Sequence, residues 1–146
     1  MRRGPGVRRS EVTTSARGPV PVEEAWERYA DPSRWAGWAP HLRRVELAPG
    51  PDRLEAGMSG TVRGSLGLAV DFVVTAVDEP ARAWSWTVRL VRPVPTGLTL
   101  ELHHTLAEVR DHTGSSTVAG LALRGPAPVV LAYRPVARWA LRRLVT

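Results

Sequence analysis

The chain has 146 residues and a formal net charge of +6, a length typical of one domain with a single core. It contains no cysteine, so disulfides, thiolate nucleophiles and cysteine-ligated metal sites are excluded. All of its twenty basic residues are arginine, which excludes a lysine Schiff base.

Positive charge is concentrated at the N-terminus. Four arginines lie there without an acidic neighbour: Arg2, Arg3, Arg8 and Arg9. We predict a basic tail over residues 1–9 and one domain over residues 10–146. Such an arm can contact nucleic acid or anionic lipid, but it is more often simply solvated, so no nucleic acid partner is expected and membrane contact is the less favoured alternative. Without a membrane-length apolar run or a signal peptide core, the chain is expected to be cytoplasmic, as a monomer or homodimer.

The N-terminal third predicts one strand and two short helices. A strand is expected over residues 7–17, which are rich in valine and threonine. A helix follows over residues 22–29, with apolar residues at helical spacing and two glutamates in its first turn. A second short helix is expected over residues 32–36, with Asp31 as its cap and Pro32 at its start.

From residue 41 the apolar period changes to two, which predicts strands over residues 42–47, 60–66, 69–77, 83–91, 98–109 and 116–124. Their short connections favour an antiparallel meander. A long helix with an apolar face closes the chain, and Pro135 is expected to kink or break it. The element order predicts an α+β fold in which the last helix covers the sheet.

Several co-linear stretches carry a family resemblance: Pro21-Val22-Glu23-Glu24-Ala25-Trp26 followed by Asp31-Pro32-Ser33-Arg34-Trp35-Ala36-Gly37-Trp38, then Val77-Asp78-Glu79-Pro80 before Trp84-Ser85-Trp86, then Leu123-Arg124-Gly125-Pro126 and the closing helix. Over about residues 10–146 the chain resembles the START-like, or SRPBCC, superfamily, and within it the bacterial polyketide cyclase/dehydrase-type branch. The resemblance implies a helix-grip fold, in which a curved antiparallel sheet wraps around a long C-terminal helix and leaves an apolar cavity between them.

The same resemblance implies that a small hydrophobic molecule binds in this cavity, whether polyketide-, lipid- or aromatic-like. Cyclase, aromatase or dehydratase-like action without a metal or nucleotide cofactor stays open, and no cofactor is expected. The alternatives are a non-catalytic carrier or sensor of lipids or metabolites, and a membrane-associated adaptor that uses the arginine tail and the final helix. Fold alone does not choose between them.

Strand parity selects the side chains that face the predicted cavity. Trp84, Trp86 and Val88 share one face, where the tryptophans would either stack on a ring-containing ligand or fill space under the helix. On the strand over residues 69–77 both parities are apolar, so its inward face stays open. The predicted ligand-binding residues are Trp38, Phe72, Trp84, Trp86, Val88, Leu102 and Val136.

Two residues are candidates for proton transfer. His104 interrupts an apolar row and could act as a neutral base, although a core histidine bonded to its neighbours is the favoured interpretation. Tyr133 on the last helix would either orient a polar group of the ligand or place its hydroxyl in water at the rim. Arg63 could hold a ligand carbonyl, as in some cyclases of the superfamily, but is expected to face solvent. No metal site is expected, because adjacent His103 and His104 point to opposite faces.

Overall fold

The computed structural model describes residues 9–93 and 97–146. The strands within these residues are β1 (Arg9–Gly18), β2 (Leu42–Leu47), β3 (Ser59–Gly64), β4 (Ala69–Asp78), β5 (Ala83–Arg92), β6 (Thr99–Asp111) and β7 (Gly114–Pro126). The helices are α1 (Val22–Ala30), α2 (Trp35–Trp38) and α3 (Ala127–Val145), with single 3-10 turns at Pro32–Arg34 and Ser65–Gly67.

The strands of the described part form one antiparallel sheet in the order β1-β7-β6-β5-β4-β3-β2. Strands β2 to β7 follow one another as a meander, and β1 pairs with the last of them, from Arg9 opposite Pro126 to Gly18 opposite Thr117. The predicted α+β architecture is confirmed, with a curved sheet, two short helices after the first strand and a long C-terminal helix.

Alternation along the strands gives the sheet one buried face. On β6, Leu100, Leu102, His104 and Leu106 are buried, while the residues between them are exposed. A period of two places every second side chain on the same face, so this face receives α3 and the cavity. On β4 the inward residues are Phe72 and Val74, which decides the parity that the sequence left open.

Helix α3 packs mainly against β1 and β7. Its last turn is tied to the N-terminal third, because Arg28 donates to the carbonyl oxygens of Arg143 and Leu144 at 3.2 and 2.8 Å. The helix continues through Pro135 instead of breaking there. Because proline has no backbone N–H, the Leu131 carbonyl has no hydrogen-bond partner within the helix. Leu131 and Pro135 are both exposed, so water can hydrate this carbonyl.

One local expectation differs from the structure, and one lies mostly outside the residues that it describes. Residues 65 and 66 leave the predicted strand and form the 3-10 turn, where Leu66 has a φ of 61°. Arg9 belongs to β1, and the other residues of the basic tail predicted over residues 1–9 lie outside the described residues.

Gly18 allows β1 to approach the end of α3. A Cβ atom at Gly18 would lie 2.1 Å from the carbonyl oxygen of Val145, which also accepts a 3.1 Å hydrogen bond from the Val20 N–H. We therefore expect Gly18→Ala to lower the free energy of unfolding by about 1–3 kcal/mol, as overpacking does.

Urea denaturation measures this effect. Gly37→Ala is the matched control, because a Cβ atom at Gly37 meets nothing within 4 Å. In the short helix α2 this change is expected to be neutral or to add up to about 1 kcal/mol. Equal midpoints for Gly18→Ala and the unaltered chain would contradict the packing described for β1 and α3.

Candidate functional site

A cavity of about 240 Å³ lies between the concave face of the sheet and α3. Strand β5 contributes Trp84, Trp86, Val88 and Leu90 to its wall. Strand β6 contributes Leu100, Leu102 and His104, and α3 contributes Val129, Tyr133, Ala137, Ala140 and Leu141. The parity of β5 and the helical spacing of α3 bring these side chains to one place.

Most of the predicted site residues line this cavity: Trp38, Trp84, Trp86, Val88, Leu102, His104 and Tyr133. Phe72 and Val136 are not part of the wall. Phe72 faces inward, but its ring packs 5.6 Å from Trp35 and 5.4 Å from Trp86. Val136 is displaced from the lining residue Ala137 by about 100° around the helix, and it is half-buried beside the cavity.

Stacked rings form the floor of the cavity. The Trp84 ring lies on His104 with a centroid distance of 4.5 Å and an interplanar angle of 8°. Trp35 stacks against Trp84 at a centroid distance of 5.8 Å. Tyr29 makes edge-type ring contacts with His104 at 5.0 Å and with Trp84 at 5.5 Å. Such ring pairs add packing energy beyond the area that they bury, so the floor is a rigid unit.

The hydrogen-bond partners of His104 determine which of its ring nitrogens carries the hydrogen. The Trp86 indole N–H, which can only donate, bonds to His104 Nε2 at 3.0 Å. Nε2 must therefore accept, and in the neutral ring Nδ1 carries the hydrogen and donates to the Tyr29 hydroxyl at 3.2 Å. Burial, together with a smaller electrostatic effect of the neighbouring His103, lowers the pKa of His104 to about 3. Both ring nitrogens are thus engaged, and the ring is neutral near pH 7.

A second polar pair lies in the wall where α3 approaches the connection between α2 and β2. His41 Nε2 lies 3.0 Å from the Tyr133 hydroxyl oxygen, and both residues line the cavity. Burial lowers the pKa of His41 and raises the pKa of Tyr133 to about 12. Both groups are therefore uncharged near pH 7.

The hydrogen positions in this pair follow from the atom that it leaves unpaired. His41 Nδ1 is buried and has no hydrogen-bond partner among the described residues. A buried N–H without a partner is rarer than an unfilled acceptor, so we place the hydrogen of His41 on Nε2, where it donates to the Tyr133 oxygen. The Tyr133 hydroxyl hydrogen is then free to bond to an acceptor in the cavity.

The other polar atoms of the wall are mostly engaged within the protein. The indole N–H groups of Trp35 and Trp38 donate to the carbonyls of Tyr29 and Arg28 at 2.8 and 3.0 Å. The Trp84 indole N–H is buried without a partner among the described residues. No arginine, aspartate or glutamate stands among the described residues of the wall. Arg63 pairs with Glu46 on the outer face, as its parity predicted.

Sequence reasoning missed His41. It stands in a connection between a short helix and a strand, where no periodicity indicates its direction. Its neighbour Leu42 pairs with Gly64, and this edge of the sheet carries His41 to the first turns of α3, 92 residues later in the chain. A contact between residues so far apart in the chain has no local signal in the sequence.

The comparisons with known proteins agree with this geometry. The family model described as polyketide cyclase / dehydrase and lipid transport matches residues 9–146. XoxI from Bacillus cereus is 12% identical with a TM-score of 0.74, covering 93% of both chains. A protein from Nitrosospira multiformis is 20% identical with a TM-score of 0.75, covering 93% of this chain and 94% of its own. The crystal structure of Ara h 8.0201 is 14% identical with a TM-score of 0.69, covering 94% and 95%.

These likenesses confirm the predicted helix-grip fold. No curated protein matches the sequence.

The neutral His104 predicts a pH dependence of stability. The unfolded chain binds a proton at this ring near pH 6.5, whereas the folded chain binds it only near pH 3. The stability that the neutral ring contributes is therefore complete above pH 6.5. It is lost as the pH falls from 6.5 towards 3, by about 1.4 kcal/mol per pH unit. The pKa of His41 is also lowered in the folded chain, so this residue too makes the protein less stable as the pH falls.

Urea unfolding between about pH 7 and pH 5 measures this slope above the range in which carboxylates titrate. His104→Gln is expected to remove about 1 kcal/mol per pH unit from the mean slope over this range, even if it lowers stability at every pH. His112→Gln, in the exposed β6–β7 turn, is the matched control and should keep the original slope. A free energy of unfolding that does not change over this range would contradict the buried neutral ring.

Proposed function

This chain belongs to the polyketide cyclase / dehydrase and lipid transport family, and on that premise we propose that it binds a small, uncharged and largely apolar molecule in the cavity under α3. The observation that carries this proposal is the wall itself. It encloses about 240 Å³, and aromatic and aliphatic side chains make up nearly all of it. Apolar pockets with a few placed polar groups are the usual form of a small-molecule site.

The volume limits the size of the ligand. A cavity of about 150 Å³ accommodates benzene, and sites for drug-sized molecules enclose about 300–1,000 Å³. The cavity of about 240 Å³ lies between them. This supports a molecule of one or two rings, or a short acyl chain, over a long polyketide or a two-chain lipid.

The polarity of the wall limits its chemistry. A charged ligand would lose its hydration without meeting an opposite charge, because the described wall residues are neutral near pH 7. The Tyr133 hydroxyl, oriented by His41, offers a hydrogen to one acceptor. We therefore propose an apolar ligand with a carbonyl, ether or hydroxyl oxygen placed at Tyr133.

Reversible binding, as in a carrier or sensor, is the function that the hydrogen bonds favour. A His104 that served as a base would first have to give up the hydrogen bond from Trp86. Cyclase or dehydratase-like action is the second candidate, and the Tyr133–His41 pair is the observation in its favour. A neutral hydroxyl held at 3.0 Å from an imidazole could polarise a ligand carbonyl while the cavity holds the reacting chain in place.

A pair of matched two-ring probes tests the role of Tyr133. We expect 1-tetralone, which has a carbonyl, and tetralin, which has none, to quench the fluorescence of the cavity tryptophans. Tyr133→Phe should lower the affinity for 1-tetralone about five- to tenfold, because one hydrogen bond contributes about 1 kcal/mol. The affinity for tetralin should not change. An equal loss for both probes would contradict the proposed hydrogen bond.

Filling the cavity tests whether these probes bind there. Ala137 is buried in the wall, so Ala137→Leu should occupy about a third of the space and abolish quenching by both probes. Ala132→Leu places the same side chain on the exposed face of α3 and is the matched control. If Ala137→Leu remains folded and binds both probes as the unaltered chain does, the cavity is not their site.

A further inference from the structure

The turn between β3 and β4 forms part of the cavity rim and exposes an apolar side chain. Gly64 and Leu68 line the cavity, and Ser65, Leu66 and Gly67 connect them; we call residues 64–68 the mouth turn. Leu66 is 98% exposed and Leu68 is 39% exposed. A leucine with almost no protein contact contributes nothing to the core, so packing does not explain its presence.

The backbone of the mouth turn does not explain it either. The Leu68 N–H bonds to the Ser65 carbonyl at 3.2 Å, and the two residues between them have φ values of 61° and 74°. This is the left-handed two-residue hairpin turn, whose first position usually holds asparagine, aspartate or glycine. Leucine is strained in this conformation. Both its exposure and its backbone therefore oppose leucine at residue 66.

Positive charge flanks the mouth turn on both sides. Arg43 follows Leu42, which pairs with Gly64, and Arg92 lies opposite Ala69 at the end of β5. Both arginines are exposed, and neither has a carboxylate within ion-pair distance in the described part of the chain. The two other arginines nearby, Arg44 and Arg63, share Glu46. The rim thus combines exposed leucines with two uncompensated cations.

We propose that the mouth turn docks on the surface of an anionic bilayer. Leu66 and Leu68 enter the boundary of the acyl chains, and Arg43 and Arg92 pair with lipid phosphates. The cavity mouth then faces the phase in which an uncharged apolar ligand dissolves. This interaction goes beyond the proposed ligand binding, and its test changes Leu66, Arg43 and Arg92, which do not line the cavity.

A bilayer fits this surface better than a protein does. Two leucines on a turn cannot supply the roughly 1,200 Å² or more that a stable protein interface buries. Lipid receives single apolar side chains without a complementary surface, and arginine strengthens the contact. Docking here is peripheral, since no helix of the described chain is long and apolar enough to cross a membrane.

Helix α3 offers a competing surface. Its outer face exposes Leu131 and Trp139 beside Arg138 and Arg142. This face points away from the cavity, which the opposite side of the helix lines through Tyr133 and its neighbours. A docking experiment must therefore separate the mouth turn from α3.

Flotation of the full chain with vesicles tests the proposal, without any cavity ligand. We expect binding to equimolar phosphatidylglycerol and phosphatidylcholine, little binding to phosphatidylcholine alone, and weakening at high salt. Leu66→Asn should reduce the affinity at least about fivefold. It should also raise the urea midpoint, because asparagine suits the turn. The double variant Arg43→Gln, Arg92→Gln should also lower the affinity for these vesicles at least about fivefold, because each arginine adds its own attraction to the anionic surface.

Leu131→Gln on α3 is the matched control and should bind as the unaltered chain does. If the unaltered chain does not bind the vesicles, the proposal is overturned. It is also overturned if Leu131→Gln or Arg138→Gln weakens vesicle binding while Leu66→Asn does not. A concentration-dependent dimer that Leu66→Asn abolishes would assign the turn to a second copy instead. Because no tetralone is present, failure here leaves the cavity proposal standing, and loss of tetralone binding leaves vesicle binding standing.

Discussion

The stack of Trp84 on the neutral ring of His104 is the contact around which the cavity is built. At 4.5 Å and nearly parallel, the two rings join neighbouring strands across the buried face of the sheet. A protonated ring here would carry an uncompensated charge in an apolar interior, so burial and stacking require the neutral form. The hydrogen bonds from Trp86 and to Tyr29 then fix its tautomer and link the sheet to α1.

This rigid floor explains how an apolar cavity persists instead of collapsing. The rings of Trp35, Trp84 and Trp86 contact one another, and Trp35 is also held through its indole N–H. Side chains that are stacked and hydrogen-bonded cannot swing into the space above them without losing these contacts. The opposite wall is α3, where the small residues Ala137 and Ala140 leave the room that larger residues would fill.

His104 in the floor and the His41–Tyr133 pair in the wall differ in how far their polar atoms are satisfied, and the Trp84 indole N–H of the floor is itself buried without a partner among the described residues. In the floor, His104 uses both nitrogens on protein partners. In the wall, the His41–Tyr133 pair leaves a nitrogen without a partner among the described residues and a hydroxyl hydrogen free for an acceptor. A satisfied pair stabilises the fold, whereas an unsatisfied buried group is a cost that a ligand can relieve. The same reasoning applies at the rim, where strain and exposure at Leu66 serve no packing purpose.

By itself, the sequence determined the order of elements and which side chains of β5 and β6 share a face. A period of two along β5 and β6 is a local property, and it placed Trp84, Trp86, Val88 and His104 on one side before any contact was known. The sequence could not determine the pairing of His41 with Tyr133, the covering of Phe72 by tryptophans, or the strained turn at Leu66. The two side-chain contacts depend on how elements remote in the chain pack against one another, and the turn depends on how β3 and β4 pair. No spacing within one element encodes either of them.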